Sequence, residues 1–186
     1  TGKDGTIVFD PYQANSVPGL NSLKLKANLV LCSHEHDDHN ARNCVEVAPK
    51  DFKVTCIETY HDHHQGSHRG KNTIHIVDFE DLKVVHMGDI GCMMDDVSKL
   101  KNCDVLMIPI GGYYTIDTKE ALKYIERIQP RIVIPMHYHS HEFGYDVLST
   151  NEEFIQQSSS VTYVDDCLEV NKDTKTQTVV FKKPRN

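Results

Sequence analysis

The chain has 186 residues, 39% of them hydrophobic and 25% charged, with a formal net charge of −7. That profile fits one soluble globular domain over residues 1–186 with a substantial core, and no apolar run is long enough to span a membrane. The acidic balance argues against a nucleic-acid binder, which more often carries a basic face. None of the six cysteines forms a CxxC pair. Cys32 and Cys56 lie in apolar runs, where a reduced thiol acts as a small hydrophobe, so a reducing, cytoplasmic setting is expected. No secretory signal stands at the chain start, which itself looks clipped.

In chain order, Thr6 to Pro11 reads as a strand ending in a turn, with Asp10 able to form an Asx turn. Residues 12–22 are rich in Asn, Ser, Pro and Gly and read as a loop. Leu29 to Cys32 reads as a buried strand. It runs into Ser33-His34-Glu35-His36-Asp37-Asp38-His39, three histidines and three acidic residues in seven positions. Packing does not explain such a cluster, because these residue types are buried only when paired or bound to metal. In an extended segment His34, His36 and Asp38 point one way and His39 the other. One loop can thus offer ligands to two adjacent ions, and imidazole with carboxylate suits zinc, iron, nickel or manganese.

A short helix is predicted from His39 toward Val47. Lys53 to Tyr60 is rich in β-branched residues and reads as a strand that delivers His61. Residues 61–72 form a polar, glycine-punctuated loop in which His63, His64 and His68 either line a rim or are simply solvated. Thr73–Phe79 and Leu82–Met87 read as strands joined by a turn at Glu80-Asp81, and the second ends in Gly88-Asp89-Ile90-Gly91. A short helix is expected over Asp95–Leu100. Val105–Ile110 and Arg131–Met136 are apolar strands buried on both faces. Between them Asp117 caps a helix to Ile128, with Glu120 at capping-box spacing, so 105–136 is a βαβ unit and the sheet is partly parallel. Tyr113 and Tyr114 either contact substrate or cap the core. Ser149 and Glu152 predict a capped helix to about Gln157. Val161–Val164, Leu168–Val170 and Thr178–Phe181 read as terminal strands.

His34-x-His36-x-Asp38-His39 resembles the HxHxDH motif of the metallo-β-lactamase superfamily. Asp10-Pro11, the "HD…G…RGxN" pattern from His61 to Asn72, Gly88-Asp89, the "IPIGGYYT" run and the "IPMHY" run around His137 extend the resemblance. Together they look most like the small stand-alone metal-dependent hydrolases, similar to the L-ascorbate-6-phosphate lactonase branch. The resemblance implies an α/β fold, an αββα four-layer sandwich, with the N-terminal strand or strands missing. It implies a first metal on His34, His36 and His61, a second on Asp38, His39 and His137, and Asp89 as the bridge. The cofactors would be two divalent ions, zinc foremost, with manganese, nickel or iron as alternatives. A hydroxide shared by the ions would cleave an ester, lactone or phosphodiester bond, with Asp38 and Asp89 as the catalytic carboxylates.

The positive charge of such a centre favours a small, anionic substrate. His64, Arg69, Asn72, Tyr113 and His139 are the candidate substrate contacts, although Arg69 and Lys71 read equally well as surface charge. Glu35, Asp37 and Asp62 are candidates to orient the histidines. The alternative is a non-catalytic metal-binding or interaction module on the same fold.

Overall fold

A computed structural model describes residues 1–182 of the chain. Its strands and helices follow in the order β1 (Ile7–Phe9), β2 (Leu25–Ala27), β3 (Leu29–Leu31), β4 (Val45–Val47), β5 (Lys53–Tyr60), β6 (Lys71–Phe79), β7 (Leu82–His86), β8 (Val105–Pro109), α1 (Thr118–Ile128), β9 (Ile132–Met136), α2 (Glu152–Gln157), β10 (Val161–Val164) and β11 (Gln177–Phe181). Seven strands form one sheet in the order β10-β11-β9-β8-β7-β6-β5. Only the hairpins β5–β6 and β6–β7 are antiparallel. The turn between β6 and β7 uses Glu80 and Asp81, both at positive φ, which matches the twist of a two-residue hairpin. The strands β8 and β9 pair in parallel, Val105 opposite Ile132 through Pro109 opposite Met136, with α1 as their crossover.

Alternation along these strands divides the apolar residues between two faces. Leu106, Ile108, Ile74, Ile76 and Val85 join Ala121, Tyr124 and Ile128 of α1 and Phe154 of α2 in one core. Val105, Ile132 and Val179 form a second cluster on the other face, with Val84, Met107 and Ile134 against it. On that side Ile7 and Phe9 of β1 share an apolar recess with Val77, Phe79, Val84 and Met107. The expected α/β sandwich is thus present, with helices on one face of a large sheet. The facing layer is slight, made of two parallel strand pairs, β1–β3 and β2–β4, of three residues each.

The helix α1 is capped as expected. Asp117 accepts from the Glu120 N–H at 2.9 Å, and Glu120 returns the bond to the Asp117 N–H. Pro135 is tolerated inside β9 because β11 pairs only with Ile132 and Val133, leaving that edge free at 135. Elsewhere local signals lost to tertiary contacts. In place of a helix after His39 there is one 3-10 turn, Arg42–Cys44, and then β4. The helix expected over 95–100 is a 3-10 turn at Ser98–Leu100. The helix α2 starts after Asn151 rather than at Ser149, and no side chain caps it; the Ser149 N–H is bonded to the Gly111 carbonyl. Leu168–Val170 forms no strand, since β11 already has β9 and β10 on its two sides; Leu168 and Val170 pack as side chains instead. Cys56 is exposed on the edge strand rather than buried.

Two buried histidines, His75 on β6 and His86 on β7, stand directly opposite each other. Burial, then the charge of His86, takes the His75 pKa from 6.5 down to about 4, against the pull of Asp10. The folded protein therefore favours neutral His75. Its stabilising contribution is complete above pH 6.5 and is lost as pH falls from 6.5 toward about 4. We expect the urea midpoint to fall over this window and His75→Leu to flatten the slope. An unchanged slope would remove His75 from the account.

Candidate metal centre

The histidine-rich loop leaves β3 at Leu31 and places its side chains against the ends of β5, β7 and β9. His61 follows β5, Asp89 follows β7 and His137 follows β9. Strand ends drawn from distant sequence thereby converge on one point, as they do at the carboxyl edge of many α/β sheets. The buried Asp89 is the hub. Its Oδ2 lies 3.1 Å from His137 Nε2, 3.2 Å from His39 Nε2, 3.4 Å from His61 Nε2 and 3.9 Å from His34 Nε2. Asp38 Oδ2 lies 3.6 Å from His39 Nε2. The His36 ring stands 4.6 Å from that of His34 and 5.2 Å from that of His61. His34, His36, Asp38, His39, His61, Asp89 and His137 are therefore neighbours in space.

Three of the imidazoles are held by their other nitrogen, whereas His137 Nδ1 is buried without a hydrogen-bond partner. The His61 Nδ1–H donates to the Tyr114 carbonyl at 3.0 Å. His34 Nδ1 lies 2.9 Å from Ser33 Oγ, and that hydroxyl donates to Asp10 at 2.6 Å. The His39 Nδ1–H donates to the same carboxylate at 3.0 Å. Such bonds turn Nε2 of each ring inward, where a lone pair faces a cation once the ring is neutral. Without a cation, the burial of His39 is outweighed by Asp89 and Asp10, which raise its pKa well above 6.5. The orienting groups are thus Asp10, Ser33 and a backbone carbonyl, not the acidic residues nearest in sequence. Glu35 faces outward to Asn40, and Asp37 takes Gln13. Asp62 accepts the backbone N–H groups of His64, Gly66, His68 and Arg69, so it shapes a loop rather than a histidine. Of the two readings of Asp10, the structure realises the one beside the centre.

Electrostatics follow from this packing. Burial opposes ionisation of Asp10, yet the charge of His86, the hydrogen bond and charge of His39 and the bond from Ser33 take its pKa down to about 2. Burial, offset in part by Asp89 and reinforced by the neighbouring imidazoles, lowers His34 to about 3. A neutral His34 at working pH is an electron-pair donor. For Asp89, burial is outweighed by His137 and His39, which hold the carboxyl well below its usual range.

Several side chains here are available to a cation. Three sets bring their donor atoms within 4.8 Å of one another: His34/His36/His61, His34/His39/Asp89 and Asp38/His39/His137. His34 Nε2 and Asp89 Oδ1 are buried without a protein partner. A buried acceptor left bare costs about 1–3 kcal/mol, so a cation bound among them would offset a standing penalty. The residues fit a divalent metal with nitrogen and oxygen ligands.

Other candidate residues are distributed differently. Asn72 is fully buried and cannot meet a substrate. Its amide donates to Thr59 Oγ1 and the Met87 carbonyl, and its Oδ1 accepts the Asp89 N–H at 2.8 Å. It therefore aims Asp89. Gly88 beside it has φ +57°, and a Cβ there would stand 2.3 Å from Asn72 Oδ1, so only glycine fits. Asn72→Ala is expected to cost about 3 kcal/mol through the bare partners it leaves, read as a lower urea midpoint; an unchanged midpoint would mean water replaces the amide.

His64 is exposed and faces His68, their ring centroids 4.4 Å apart. Arg69 lies over the Tyr114 ring at 4.1 Å. Tyr113 is 69% exposed at a positive φ of 57°. His139 pairs with Asp146 at 3.4 Å. Tyr145 gave no signal in the sequence. Its hydroxyl donates to the Ser16 carbonyl at 2.5 Å and lies 3.5 Å from Asp38 Oδ2, fastening loop 12–22 over the centre.

A strand-end cluster of imidazoles and carboxylates on a sheet of this kind fits a metal-dependent hydrolase. The model of the beta-lactamase superfamily domain matches residues 1–137, and the chain belongs to that superfamily. A protein of Natranaerobius thermophilus named UPF0173 metal-dependent hydrolase is 30% identical, with the alignment covering 74% of this chain and 77% of that one. Its namesake in Staphylothermus marinus is 29% identical over 75% and 78% of the two chains. Among solved structures, a candidate Zn-dependent hydrolase of the metallo-β-lactamase superfamily from Thermotoga maritima superposes with a TM-score of 0.74. It is 26% identical, and the match covers 97% of this chain and 91% of that one.

Proposed function

We propose that the chain is a binuclear hydrolase acting on an ester, lactone or phosphodiester bond in a small anionic molecule. In this reading His34, His36 and His61 would hold one divalent ion, Asp38, His39 and His137 would hold the other, and Asp89 would serve as a ligand to both. The observation that carries it is the position of Asp89, whose Oδ2 has four histidine Nε2 atoms within 3.9 Å. When bound, two such ions bring the pKa of a shared water to about 7 and supply positive charge for a developing oxyanion. Zinc suits the donor set best, with manganese, nickel and iron next.

The chain's own groups do the rest. Asp10 and Ser33 keep the Nε2 atoms of His39 and His34 pointed inward, and the Tyr114 carbonyl does so for His61. Asp38 and Asp89 would offset the charge of bound cations. Burial first, then Asp38, raises the Tyr145 pKa to about 12. The phenol therefore keeps its proton and remains a donor beside Asp38.

The test is elemental analysis of protein purified without chelator or affinity metal. Two ions per chain and hydrolysis of an activated ester or bis(para-nitrophenyl) phosphate are expected. No bound metal after reconstitution with zinc or manganese would overturn the reading.

A further inference from the structure

The cleft beside His61 has charges that are unequally committed. It measures about 370 Å³ and abuts the centre, because Tyr114 both lines it and holds His61 through its carbonyl. Three carboxylates line it, and all are engaged. Asp62 accepts four backbone N–H groups of its own loop. Asp117 and Glu120 cap α1 reciprocally, and Glu120 also takes His63 Nε2 at 2.8 Å.

The nitrogen donors stand differently. The Arg69 guanidinium stacks at 4.1 Å on Tyr114 and makes no ion pair with a carboxylate among the described residues. Stacking fixes the plane of a guanidinium while leaving its N–H edges free for a bidentate partner. His64 and His68 line the same cleft. Lys71 is outside it and already paired with Glu58 at 2.9 Å.

We propose that this cleft is an oxyanion subsite, in which Arg69, with His64 and His68, holds a carboxylate or phosphate group of the substrate away from the bond that is cleaved. The proposal rests on the hydrolase reading above and gives its anionic substrate a place. Planar carboxylate and phosphate oxygens match the guanidinium fork, and the engaged acids of the cleft leave those donors to a ligand.

The experiment uses the zinc-loaded full chain and two esters of similar length, para-nitrophenyl butyrate and mono(para-nitrophenyl) glutarate. Only the second carries a distal carboxylate. We expect kcat/KM to favour the glutarate ester by about tenfold or more. Arg69→Met should erase that preference through a raised KM, and Arg69→Lys should keep part of it. A wild type with no preference, or a variant that slows both esters by one factor, overturns the subsite. Hydrolysis of neither ester by metal-loaded protein counts against the hydrolase reading instead. Calorimetry with glutarate and with inorganic phosphate then decides the subsite. About tenfold weaker binding to Arg69→Met supports it, and equal binding overturns it. The tighter of the two anions identifies the group recognised.

Discussion

Asp89→Ala should strip at least one metal ion per chain and take hydrolysis below detection. The reason is geometric. Among the described residues, Asp89 is the carboxylate that lies within 4.0 Å of imidazoles from three segments, the loop after β3 and the ends of β5 and β9. Alanine removes the oxygen on which those rings converge and one of the two negative charges that would offset the cations. The backbone at 89 stays in place, because Asn72 holds its N–H. The loss should therefore appear in metal content and rate, with circular dichroism unchanged. Asp89→Asn keeps the shape and removes the charge, and it should behave nearly as badly. Full metal occupancy together with full activity in either variant would sink the assignment of Asp89 as the bridge.

Asp10→Asn should weaken metal retention and lower kcat/KM by about ten- to a hundredfold, the usual cost of losing a partner behind a ligating histidine. Asp10 Oδ2 accepts from both Ser33 Oγ and His39 Nδ1. An amide NH2 at that place would point donors at donors, freeing His39 to turn and breaking the Ser33 link to His34. Because Asp10 sits at about 2, it is ionised throughout the neutral range, so the defect should not vary with pH there. Competition against a chelator gives the affinity. A variant with wild-type affinity would show that packing alone orients His39.

The residues that converge on the candidate centre were legible because their signal is local. His34, His36, Asp38 and His39 share one seven-residue loop, and His61, Asp89 and His137 each close a strand whose apolar pattern marks it. The capping box of α1 was legible for the same reason, since Asp117 and Glu120 are one turn apart. The helix expected after His39 and the strand at 168–170 failed because propensity was overruled by what lay alongside, β2 for Val45–Val47 and two existing neighbours for β11. Asn72 was misread as a substrate contact because its position after a polar loop resembles a rim, while its burial depends on the strands that flank it.

Fold class, family resemblance and the seven candidate ligands could all be read along the chain. These follow from residue type, period and spacing along the chain. Which groups orient them, and what faces the cleft, emerged from the folded arrangement. Asp10 meets His39 across 29 residues, Asn72 meets Asp89 across 17, and Tyr145 reaches Asp38 across 107. A side chain's type states which hydrogen bonds it can make. Which partner it finds is set by how the strands cross, and no local pattern records that.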